Sequence, residues 1–175
     1  MEIRYPAARD ERPRILVVEP NRTYLGVLAH RLSEAGLRVT TADSGSSAIA
    51  ELYRLRIDLV LAELDMPRMS GAELARAIRG EVQWNDTPVM LMTGKSKPAD
   101  AVRAYEAGAD DVILKPFHFE VLVARIERRI DRMRSVRQLR DDNAALDARV
   151  IERAIQIGEL KEKLKEERVR GPLTL

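Results

Sequence analysis

Asp58-Leu-Val-Leu-Ala-Glu-Leu-Asp-Met-Pro-Arg-Met-Ser-Gly71 is the stretch on which the fold turns. Asp58 to Ala62 reads as a short buried strand, and Ser70 to Arg79 reads as a helix. Glu63 and Asp65 are left at the strand's carboxyl end. The same step recurs on both sides. Arg14 to Val18 is an apolar, β-branched run after Pro13. The helix from Asn21 to Ala35 then carries Leu25, Leu28, Ala29 and Leu32 at spacings of three and four, with Asn21 to cap it and Gly36 to end it. Leu37 to Thr41, Val89 to Met92 and Val112 to Leu114 read as further strands; Ser44 to Leu55, Pro98 to Ala107 and a last segment from Phe119 read as helices.

Strict alternation with short connections forces right-handed crossovers and a parallel sheet covered on both faces, an α/β doubly wound fold. In such sheets ligands sit beyond the carboxyl ends of the strands. The polar residues there are Glu19, Glu63, Asp65, Thr93 and Lys115.

The chain has 175 residues, with no Cys and two His, so disulfides, thiol catalysis and thiolate metal sites are out. No apolar run approaches the roughly 18 residues of a membrane helix, and Met1 to Pro13 has no apolar core of a secretory signal, so the cytoplasm is the expected location. Charge is nearly balanced at +2 but unevenly built. Residues 1–118 carry 16 Lys and Arg against 17 Asp and Glu, and residues 119–175 carry 14 against 11. Phe119 to Arg170 has one Gly and no Pro, the composition of one long helix. The organisation expected is an N-terminal extension at 1–13, a domain at 14–134, a stalk at 135–170 and a tail at 171–175.

ILVVEPN, DLVLAELDMPRMSG, PVMLMTG and GADDVILKPF, in that order and spacing, resemble the receiver domain of bacterial two-component response regulators over about Pro13 to Arg132. The resemblance implies a five-stranded flavodoxin-like sheet with five helices and a signalling module rather than an enzyme. It also implies a pocket that holds Mg²⁺ between acids, an Asp that accepts a phosphoryl group, a hydroxyl and a lysine. Thr93 and Lys115 match the last two. The acceptor position, four residues before Pro67, is Glu63. The acidic pair after the first strand reads Glu19-Pro20, and the aromatic switch position is Val112. These departures imply a degenerate, pseudo-receiver type in which Mg²⁺ binding is weak or absent and no cofactor is needed. Glu63 is read either as a mimic of the phosphorylated Asp or as one half of an ion pair with Lys115. The alternative is a phosphorylatable receiver with Asp65 or Glu63 as acceptor, controlling an output such as a diguanylate cyclase, to whose opening motif Val169 to Leu175 bears a weak likeness.

The tail carries a heptad frame, with Val136, Asn143, Val150, Ile157 and Leu164 at a and Leu139, Leu146, Arg153, Leu160 and Glu167 at d. One Asn at a favours a parallel two-stranded coiled coil, so a homodimer is expected through Val136, Leu139, Asn143, Leu146, Val150, Ile157, Leu160 and Leu164. Like charges at the flanking positions leave an antiparallel pairing, or another protein's helix, open. Arg125, Arg128, Arg129, Arg132, Arg134, Arg137 and Arg140 spread round the helix among acids, which speaks against a nucleic-acid surface. His30, His118 and the methionines are read as surface or packing residues, and Trp84 as either a surface anchor or a lid on the third helix.

Overall fold

A computed structural model describes residues 12–94 and 98–171. The expectations for the extension up to Glu11 and for the tail beyond Gly171 lie outside the described residues. Strands β1 (Arg14–Val18), β2 (Arg38–Ala42), β3 (Leu59–Glu63), β4 (Val89–Thr93) and β5 (Asp111–Leu114) alternate with α1 (Arg22–Glu34), α2 (Gly45–Arg54), α3 (Gly71–Gly80), α4 (Pro98–Glu106) and α5 (Phe119–Arg170). The strands form one parallel sheet in the order β2-β1-β3-β4-β5. This is the flavodoxin-like arrangement, and each boundary lies within a residue or two of the sequence reading.

The sheet separates two cores. On one face Leu16, Val18, Val60, Ala62 and Leu91 pack with Leu52, Leu74 and Ile78. On the other Ile15, Val17, Leu59, Leu61 and Met90 pack with Leu28, Leu32, Leu122, Ile126 and Ile130. Consecutive strand residues thus go to opposite faces, which is why the central strands β1, β3 and β4 are largely apolar rather than alternating, while the edge strand β2 keeps Thr40 and Thr41. Trp84 belongs to the first core and is only 7% exposed, its ring edge-on to Tyr53 at 4.6 Å. It is a buried packing residue, not a surface anchor. The helix starts are chemically set: Asn21, Ser44 and Ser70 each accept a hydrogen bond from a first-turn amide, and Ser70 with Glu73 completes a reciprocal capping pair.

The β3–α3 turn brings backbone against backbone. A Cβ on Gly71 would lie 2.5 Å from the carbonyl oxygen of Glu63, so only Gly lets α3 start this close to the strand end. Three residues earlier Arg68 has φ 67°, a left-handed conformation that costs a side-chain-bearing residue roughly 1 kcal/mol. Arg68 is exposed, so Arg68→Gly should raise the unfolding free energy by about 0.5–1 kcal/mol, read as a higher denaturant midpoint at unchanged slope.

Within α5, Leu122, Ile126, Ile130 and Met133 are buried. The chain divides into two compact units, Met1–Met133 and Arg134–Leu175. In the second unit Leu139, Leu146, Val150, Ile157, Leu160 and Leu164 are each more than half exposed, as are Ile151 and Ile155. Among the described residues no helix is long and apolar enough to cross a membrane.

Candidate functional site

Parallel pairing of β1 with β3 and β4 with β5 brings the strands' carboxyl ends to one edge of the sheet. Glu19 follows β1, Glu63 and Thr93 close β3 and β4, and Lys115 follows β5, its amide donating to the Thr93 carbonyl at 2.8 Å. Lys115 Nζ donates to Glu19 Oε2 at 2.9 Å and to Glu63 Oε2 at 2.5 Å. The second oxygens are also occupied. Glu19 Oε1 accepts from the Asn21 amide at 3.0 Å and Glu63 Oε1 from the Asp65 amide at 3.2 Å. Each carboxylate is therefore held at both oxygens, by a lysine and by the amide two residues on.

Both acids are nearly buried, Glu19 at 4% and Glu63 at 9% exposure, so their desolvation demands a cation. Burial alone would lower the Lys115 pKa. The hydrogen bonds and charges of Glu63 and Glu19 outweigh it and hold the ammonium above its ordinary value. The Tyr24 ring, from the first turn of α1, faces the ammonium with its centroid 4.4 Å from Nζ. Burial raises the Tyr24 pKa; the Lys115 charge opposes this and Glu19 and Glu63 add to it.

Of the residues singled out in sequence, Glu19, Glu63, Thr93 and Lys115 share this edge. Thr93 is buried at 3%. Asp65 gives the site its amide, while its carboxylate is paired at 3.8 Å with Arg103 of α4. Arg103 also holds Asp100 at 3.2 Å. Val112 is half-buried in β5 against the first core. Tyr24 and Arg103 escaped sequence reasoning; the first could have been found as the only aromatic in the first turn of the helix that follows Glu19. Asn21 was read as a cap, and its amide proves to be a ligand of Glu19 as well.

The donor set does not fit Mg²⁺. Pro20 offers no side-chain oxygen, and the two carboxylates beside it are already bound by an ammonium and two amides; no group of three or more acids or histidines that could hold a metal occurs among the described residues. What this arrangement can do is hold three strand ends together by charge. Lys115→Met should then cost about 2–4 kcal/mol at pH 7, because it strands two desolvated carboxylates. A lysine with a raised folded pKa stabilises fully below its unfolded value of 10.5 and loses the effect as pH climbs through the higher folded value. Denaturant melts should accordingly show the gap between wild type and Lys115→Met constant at neutral pH and closing above about pH 10.5.

Residues 15–127 match the response regulator receiver domain family. The DNA-binding response regulator MtrA of Mycolicibacterium smegmatis is 36% identical over 121 residues, which are 69% of this chain and 52% of that one. The chain thus spans about half the length of the curated relatives it matches. The solved receiver domain of a signal transduction histidine kinase from Syntrophus aciditrophicus is 36% identical, with a TM-score of 0.64 over 68% of this chain and 90% of that chain. Chemotaxis protein CheY4 of Vibrio cholerae is 29% identical at a TM-score of 0.64, over 67% and 98%. The family model covers well over half of the chain, and the fold is shared with solved receiver domains, so the chain belongs to the response regulator receiver domain family, a class of signalling modules.

Proposed function

We propose that this receiver domain is a pseudo-receiver, signalling without phosphorylation, and that it works as a dimer whose C-terminal helix positions a partner or output domain. The observation that carries the reading is the sharing of Lys115 between Glu19 and Glu63. An acceptor carboxylate needs a free oxygen to attack phosphorus and a metal to neutralise the transferring oxygens. Glu63 has both oxygens engaged, and Pro20 stands where the family places a metal-holding acid. The added methylene of Glu sets the negative charge where a phosphoryl group would otherwise bring it.

A displaced acceptor at Asp65 is less well supported, since its carboxylate is engaged with Arg103. A DNA-binding role for the arginine-rich part of α5 is weaker still, because Arg125 and Arg129 lie 3.5 and 3.7 Å from the buried Asp111. For the tail, exposed Val136, Leu139, Leu146, Val150, Ile157, Leu160 and Leu164 would gain on the order of 10 kcal/mol per chain on full burial, before the costs of association. That surplus favours pairing at micromolar concentration.

Incubation with acetyl phosphate or beryllofluoride should leave the intact mass and the pocket unchanged, and calorimetry should find no submillimolar Mg²⁺ binding. An acyl phosphate mapped to Asp65 or Glu63 would overturn the reading. Glu63→Asp together with Pro20→Asp should recover Mg²⁺ binding.

Light scattering at tens of micromolar should give a dimer for the full chain and a folded monomer after truncation at Arg134. A monomeric full chain would leave the helix to a different protein.

A further inference from the structure

Lys115 is held from three directions, and only two of them are acids. Glu19 and Glu63 take two of its N–H donors, and the Tyr24 ring face lies 4.4 Å from Nζ. The position of that ring is itself fixed by the site. Glu19 Oε1 accepts from the Asn21 amide, and Asn21 Oδ1 accepts from the Tyr24 amide at 3.0 Å, as the cap of α1. The acid that binds the lysine therefore also sets the loop that aims the aromatic at it. Tyr24 packs against the core of Ile15, Val17, Leu28 and Phe119, which fixes the rest of the side chain.

We propose that Tyr24 is the positioning residue that closes this site: its ring face is the third wall around the Lys115 ammonium and keeps small molecules off the amine. The inference rests on the pseudo-receiver reading and adds to it a second barrier, independent of the acid at position 63. A ring face attracts the ammonium electrostatically and presents no acceptor for water, so it both holds the cation against the two carboxylates and keeps that side dry. An aliphatic side chain could fill the volume without the attraction. The hydroxyl is not required, since the contact is with the ring.

The test is chemical access to the amine. The full chain is treated with a trace of acetic anhydride at pH 8, and acetylation of Lys115 is read by peptide mass mapping against Lys161, in the second unit, as internal reference. Wild type and Tyr24→Phe should both label Lys115 about tenfold or more slowly than Lys161. Tyr24→Ala and Tyr24→Leu should raise the Lys115 rate severalfold, consistent with a cation–π contact of about 1 kcal/mol and lost shielding. The Leu variant keeps a packed side chain in the first turn, and so guards against a fold defect in the Ala variant. Equal protection of Lys115 in wild type, Leu and Ala would overturn the proposal and leave the glutamates alone as its holders. Loss of protection in Tyr24→Phe would overturn it too, by assigning the wall to the hydroxyl. Phosphoryl uptake by wild type would defeat the pseudo-receiver reading without changing these ratios, so the two failures are separable.

Discussion

One ammonium between two carboxylates governs this end of the molecule. Glu19 and Glu63 stand at the ends of adjacent strands at nearly full burial, and Lys115 supplies the opposite charge to both. Lys115 arrives from the far edge of the sheet, beyond β4 and β5, so the pairing ties β5 across to β1 and β3. The tie continues outward through Asn21 into the first turn of α1 and through the Asp65 amide into the β3–α3 turn. That turn is the one that needs Gly71 and tolerates Arg68 at positive φ. A change in the charge at this point would be felt in two loops and one helix start.

A second polar junction, at the opposite end of the strands, has a different character. Arg79 of α3 donates to the carbonyls of Asn85, Thr87 and Gly108 and to Asp110 Oδ2. Asp110 also accepts from the Val89 amide. This hub fastens the α3–β4 and α4–β5 connections and satisfies carbonyls that no strand or helix would pair. It is one ion pair, Arg79 with Asp110, among neutral carbonyls, whereas the Lys115 site shares one cation between two carboxylates. The first is architecture; the second can respond to what changes a charge.

The sequence made the sheet legible because its central strands β1, β3 and β4 are largely apolar, as burial on both faces demands, and its helices carry spacings of three and four. The strand-end acids and Lys115 were legible for the same reason, since topology alone places strand ends together. Their pairing was readable only as one of two options, because periodicity does not say which oxygen a lysine reaches. Tyr24 was not legible. Its contact depends on the direction in which α1 leaves β1, which is set by a hydrogen bond from Asn21 to Glu19 that no sequence period encodes. Arg79 was missed likewise, for three of its partners are backbone carbonyls, which every residue has, and the fourth, Asp110, lies 31 residues away. Trp84 has no such signal either, because a lone aromatic in a polar loop carries no periodic neighbours to show which way it faces.

The helix α5 changes character along its length. Leu122, Ile126, Ile130 and Met133 follow spacings of four, four and three and are buried within the first unit. From Val136 the apolar residues follow a heptad frame, and Arg153 and Glu167 occupy d positions where a paired helix would meet them. Asn143 at a argues for parallel strands through an Asn pair. Parallel pairing also sets Asp142 near Asp147 and Lys163 near Arg168, like against like. Each exposed like-charge contact of this kind costs only about 0.5 kcal/mol, while each apolar layer contributes several times more. The stripe therefore sets whether the tail associates, and the weaker polar terms are left to set the direction.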